Sequence, residues 1–204
     1  MSHHIDKIIY INLDHRTDRR AQIESQLLQY GLTDFERFSA VHNPLNGIGC
    51  SQSHLAVLRL AQERGYKNIL ILEDDFIFQV SKEDLERQID SLFREIPDFD
   101  VCMFAYNLIS GEIDPLHSYL LHNVDAQTTS GYLVNQSMFS ELIELYKWST
   151  PILEYTGQHW IYACDQIWKR YQKSRKWYCF HPRLGKQSDG VSDNGVGEYV
   201  VCNW

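Results

Sequence analysis

Short apolar runs alternate with amphipathic stretches along the chain, a rhythm that predicts strands interleaved with helices. Lys7–Leu13 (KIIYINL) is apolar and β-branched, the pattern of a strand buried on both faces. Over residues 18–30, Ile23, Leu27 and Tyr30 recur at helical spacing, and Gly31 supplies a C-terminal stop. Phe35–Ala40 reads as a second strand. Gly49–Arg64 then carries Leu55, Leu58 and Ala61 on one helical stripe and ends at Gly65. Asn68–Leu72 is the next strand, followed by a loop and a helix opening at Ser81, which with Asp84 has the spacing of a capping box; Pro97 closes that segment. Asp100–Tyr106 and Thr128–Val134 read as strands, helices are expected at 137–147 and 159–173, and Trp177–Phe180 is a final strand. Beyond His181-Pro182, glycines at 185, 190, 195 and 197 break any period, so 182–204 reads as a loop-rich tail.

This order predicts an α/β sandwich, a central sheet flanked by helices. The 204 residues show no repeat, low-complexity tract or Pro/Gly-rich linker, so 1–204 is read as a single domain. Apolar residues at 44% and charged residues at 23% are ordinary globular composition. The net charge of -8, from 19 basic and 27 acidic residues, argues against nucleic acid as a partner. Five scattered cysteines (50, 102, 164, 179 and 202) contain no C-x-x-C pair and suggest neither a disulfide framework nor a zinc site. The first apolar run is too short for a transmembrane helix and wrongly built for a signal peptide, so the expectation is a soluble, cytoplasmic protein. His3-His4 is too short to identify as a tag.

Ligands of open α/β sheets bind at the carboxyl ends of strands, and the polar clusters of this chain fall there. Glu73, Asp74 and Asp75 follow the apolar run ILIL. Three adjacent carboxylates at a core boundary repel one another, and a hard divalent cation compensates them naturally; a solvated acidic turn is the bland alternative. Alternation along a strand would put Glu73 and Asp75 on one side and Asp74 on the other. Arg16, Arg19 and Arg20 share the first turn and one face of a helix, suited either to phosphate or to plain solvation. Gly47 and Gly49 permit close backbone approach to a ligand, with Ser51, Ser53 and His54 as hydrogen-bonding groups. A Ser–His hydrolase is rejected, because no G-x-S-x-G elbow is present and neighbours on a helix diverge. Asp165 lies among Trp160, Tyr162, Trp168 and Tyr171, either as a general base of raised pKa or as a partner of Lys169 or Arg170. His181, at a strand end, is either a further metal ligand or a surface histidine. Gln187-Ser188-Asp189 and Ser192-Asp193 lie in the tail, a candidate flap over a bound nucleotide.

The ordered blocks YINLDHRTDRR (10–20), GIGCSQSHLAVL (47–58), ILILEDD (69–75), TTSGYLV (128–134), Asp165-Gln166 and HPRLGKQSDGVSD (181–193) resemble glycosyltransferase family 25, the lipooligosaccharide and procollagen galactosyltransferase group. The resemblance implies a GT-A fold, a nucleotide-sugar-binding sandwich with a mixed central sheet. It implies an inverting hexosyltransferase that uses a UDP-sugar donor, Mn²⁺ (or Mg²⁺) and a glycan or protein hydroxyl acceptor. The acidic triplet would stand for the family's metal motif, with Asp75 the prime ligand and Glu73 second, and His181 a further candidate. Asn12, Leu13, Arg16 and Arg19 of the first block, with Ser53, His54, Glu73 and Asp74, would contact the donor, and Asp165 would be the base. The alternatives from other classes are an inactive UDP-binding protein with the same fold and, more distantly, a metal-dependent phosphodiesterase or nuclease.

Overall fold

A computed structural model describes residues 4–43, 45, 47–191 and 199–200. Its centre is a six-stranded mixed sheet. β1 (Lys7–Asn12) lies between β2 (Phe35–Ser39) and β3 (Asn68–Glu73), all parallel. β3 then pairs antiparallel with β6 (Leu120–Asn135), β6 with β5 (Val101–Ile113), and β7 (Trp177–Phe180) lies parallel to β5 and also pairs antiparallel with the start of β6, Cys179 with Leu121 and Phe180 with Leu120.

The strict alternation of side chains along a strand divides the core into two layers. Ile9, Ile11, Ile69 and Ile71 face one side, under α2 (Ile48–Glu63) and α4 (Phe139–Thr156). Ile8, Tyr10, Leu70 and Leu72 face the other, against Ile23 and Leu27 of α1 (Thr17–Gln29) and Leu85, Ile89 and Leu92 of α3 (Lys82–Glu95). All of these side chains are buried, which is why β1 and β3 read as continuous apolar runs. The Ser81 hydroxyl accepts from the Asp84 backbone N–H at 3.1 Å and so caps α3.

The elements depart from the sequence pattern in four places. β5 and β6 are longer than their apolar runs: the outer half of β5 is exposed and bulged, while the half of β6 that pairs with it buries Leu120, Leu121, Val124 and Ala126. α4 continues through Pro151 to Thr156, past the expected end at 147. An interior proline costs about 3 kcal/mol, and the continuation buries Leu153 beside Ile48 and Ala163. The aromatic stretch 159–173 is three short helices, α5 (His159–Tyr162), α6 (Cys164–Ile167) and α7 (Lys169–Gln172), instead of one. Ala163 is extended at the first break, and the Cys164 N–H is taken by the Ser51 hydroxyl on α2 at 3.1 Å.

The fourth departure matters most for the site. β4 (Phe76–Phe78) pairs antiparallel with β8 (Gly185–Gln187), inside what the pattern gives as loop. Phe76 is fully buried between two glycines: a Cβ at Gly131 would lie 2.6 Å from its ring, and one at Gly185 2.2 Å. Only residues without side chains let that ring seat. A short pair, Gly190–Val191 with Tyr199–Val200, follows. Ser192, Asp193, Gly195, Gly197 and Cys202 lie outside the described residues, so the tail flap has no structural description here. The four described cysteines are free thiols. Among the described residues, no helix is long and apolar enough to cross a membrane.

Candidate active site

The acidic triplet sits where the β3 ladder ends, and that ending changes which carboxylates act together. Glu73 is the last strand residue, whereas Asp74 and Asp75 form the turn into β4. Alternation therefore stops at Glu73, and the expected pairing of Glu73 with Asp75 does not hold. Asp74 and Asp75 converge instead on one guanidinium: Arg19 Nη1 lies 3.2 Å from Asp74 Oδ1 and 3.1 Å from Asp75 Oδ2. Glu73 turns to α2, where Oε1 lies 3.1 Å from His54 Nε2 and accepts from Thr129 Oγ1 at 2.6 Å.

Each carboxylate has a distinct protonation environment. Burial and the charge of Glu73 push Asp75 up to about 7, with Arg19 and the Gln187 amide opposing. Gln187 Nε2 donates to Asp75 Oδ2 at 2.9 Å, a contact that exists because β8 pairs with β4. Burial also raises Asp74, against the Asn12 amide, which donates at 2.7 Å, and Arg19. Burial would raise Glu73 too, but the His54 hydrogen bond and charge outweigh it and hold Glu73 below the usual range. His54 is raised in turn: its burial is outweighed by Glu73.

All three carboxylates, with Leu13, Arg19 and His54, line a cleft whose far wall is Ala40–Asn43, the loop after β2. A second cavity adjoins it. Cys50 and Glu73 line both, and Thr128, Thr129, Asp165 and Gln187 line the second. Asp165 Oδ2 accepts from the Thr128 backbone N–H at 3.2 Å, and burial is the main cause of its raised pKa. Thr128 holds φ at 76°, a region a β-branched residue rarely occupies, so the backbone is strained where it meets Asp165.

The other residues singled out in the sequence are placed as follows. Asn12 is buried and does not line the cleft; it bridges Asp74 and the Arg37 guanidinium. Arg16 pairs with Asp18 and Arg20 with Glu24, so of the three first-turn arginines only Arg19 reaches the triplet. Ser53 lines the cleft, but its hydroxyl donates to the Gly49 carbonyl and accepts from the Val41 N–H. Gly47 takes a positive φ at the start of α2 and lines the second cavity, and Gly49 lines the cleft, where a Cβ would lie 2.5 Å from the Val41 carbonyl. His181 is not brought to the triplet. His181 follows β7 and lines a separate cavity with Gln88, Ser118 and Tyr119. Thr129, Cys50 and Cys164 were not singled out in the sequence, because their role depends on contacts between β6, α2 and α6.

In sequence, no family model and no curated protein matches the chain. In structure it is similar to a glycosyltransferase involved in the glycosylation of the major capsid of PBCV-1 (TM-score 0.52, 12% identity, 92% of this chain and 94% of that chain). It is also similar to the glycosyltransferase GlyE of Streptococcus pneumoniae TIGR4 (TM-score 0.50, 10% identity, 85% of this chain), although it spans only 44% of that protein. At these identities the likeness speaks to fold. The fold is of the GT-A type, a mixed α/β sandwich.

Proposed function

We propose that the chain is a divalent-metal-dependent, inverting glycosyltransferase of the family 25 kind, which transfers a hexose from a UDP-sugar to a hydroxyl of a glycan or protein. The observation that supports this best is the convergence of Asp74, Asp75 and Arg19 in a cleft at the carboxyl ends of β1 and β3 of a GT-A fold. Carboxylate oxygens suit Mn²⁺ or Mg²⁺. Burial and the neighbouring Glu73 charge push Asp75 up to about 7, so a cation would complete the charge of the set. Asp75 would be the prime ligand. Asp74, which shares Arg19 with it, would be second in place of Glu73.

The ion would neutralise the diphosphate and the charge that develops on the leaving group. Leu13 and the wall at 40–43 would hold the nucleoside, and Arg19 would contact phosphate. Asp165, across the adjoining cavity, would accept the proton of the acceptor hydroxyl as its oxygen bonds to the anomeric carbon and the bond to UDP breaks. Burial raises the basicity of Asp165 towards what that transfer needs. The test is a panel of UDP-sugars with and without Mn²⁺. The expected result is metal-dependent release of UDP from at least one donor, lost in Asp75→Ala. UDP binding with no turnover on any donor or acceptor would replace this reading with that of a binding protein. Neither binding nor turnover would overturn both.

A further inference from the structure

At the junction of the two cavities the donor atoms change character, from carboxylate oxygens to a mixed set of sulfur, nitrogen and oxygen. Cys50 Sγ, His54 Nε2 and Glu73 Oε1 all lie within 4.8 Å of one another. Cys50 and His54 stand four residues apart on α2 and so share one face, and Glu73 ends β3. We propose that Cys50, His54 and Glu73 form a binding site for a thiophilic divalent cation of the Zn²⁺ type.

The spacing supports this quantitatively. With Zn–S about 2.3 Å, Zn–N and Zn–O about 2.0 Å and a tetrahedral angle, the donor-to-donor edges should be about 3.5 Å for S···O and about 3.3 Å for N···O. The structure has Cys50 Sγ 3.7 Å from Glu73 Oε1 and His54 Nε2 3.1 Å from Glu73 Oε1. The second ring nitrogen of His54 is anchored, with Nδ1 2.9 Å from the buried Tyr132 hydroxyl. That is the outer contact that fixes the ring of a metal-ligating histidine and aims the other nitrogen at the ion. Thr129 Oγ1 donates to the same Glu73 Oε1 at 2.6 Å and fixes the carboxylate in place. Cys50, Glu73 and Cys164 also line the adjoining cavity, which gives an ion its entry path.

This site is distinct in chemistry from Asp74 and Asp75, which offer only oxygen, and it goes beyond the transferase reading. An ion there would sit between the proposed donor cleft and the proposed acceptor cavity.

The test uses the whole chain, stripped with EDTA, desalted into a phosphine reductant and titrated with Co²⁺ and then Zn²⁺. One equivalent of Co²⁺ should bind with the thiolate-to-metal band in the ultraviolet and the strong visible bands of a tetrahedral ion, and Zn²⁺ should displace it. Cys50→Ser should weaken Zn²⁺ at least tenfold and Tyr132→Phe about tenfold, whereas Asp75→Asn should leave Zn²⁺ affinity within about threefold. Co²⁺ bound without thiolate bands, no Co²⁺ bound, or an affinity lost in Asp75→Asn but kept in Cys50→Ser would each overturn the proposal. Where Cys50→Ser does not fold, the wild-type Co²⁺ spectrum and Tyr132→Phe decide. A UDP-sugar panel without turnover would leave the result untouched.

Discussion

Asp75→Asn should make the metal-stripped protein more stable at neutral pH, although the residue is proposed as the prime metal ligand. Asp75 is almost fully buried, and burial together with the Glu73 charge raises its pKa from 3.8 to about 7. A carboxyl whose folded pKa lies above its unfolded one favours the folded state only while protonated. The penalty is absent below pH 3.8, grows as pH rises and levels off above about 7. Its ceiling is about 4 kcal/mol, at about 1.4 kcal/mol per pKa unit. Asparagine keeps the shape and can keep a hydrogen bond to Gln187, but it forfeits the pairing with Arg19. About half of the ceiling, roughly 2 kcal/mol, is therefore the expected gain at pH 8, shrinking towards zero near pH 4. Urea unfolding of both proteins in EDTA at several pH values measures this. Adding Mn²⁺ should stabilise the wild type and not the variant. A variant no more stable than wild type at pH 8, or a difference that does not narrow on acidification, would refute the account of Asp75 as a strained buried anion.

Two further outcomes follow from the cavity and the core. Asp165→Asn should lower kcat by about 10² to 10⁴ with UDP affinity unchanged, measured by UDP release and by calorimetry; equal loss of binding would assign Asp165 a structural role through its Thr128 contact. Gly131→Ala would bring a Cβ to 2.6 Å and 2.7 Å from the buried Phe76 ring, and should cost about 1–3 kcal/mol in urea unfolding. A change below about 0.5 kcal/mol would show that Phe76 can move aside, and with it the β4–β8 pairing that carries Gln187 to Asp75.

The elements whose burial is uniform were legible in the residues themselves. Lys7–Leu13 and Asn68–Leu72 announce buried parallel strands because both of their faces are covered, and the Ser81 cap follows from local chemistry alone. The location of the acidic cluster was legible for the same reason, as a sharp change from ILIL to EDD. What local pattern could not supply was partnership across the fold. Nothing in the sequence says that Asp74 and not Glu73 joins Asp75, because that depends on where the β3 ladder stops and on Arg19 reaching across from α1. Nor does it say that His181 lines a different cavity from the triplet, since a strand's position in the sheet is set by pairing and not by order along the chain. Gln187 meets Asp75 only because Gly131 and Gly185 leave room for Phe76, a packing condition between segments more than fifty residues apart. The sequence by itself determined which segments are buried and where charge gathers. The tertiary structure decided which charges face one another, because contacts between distant segments are fixed by shape and pairing and leave no periodic trace in either segment alone.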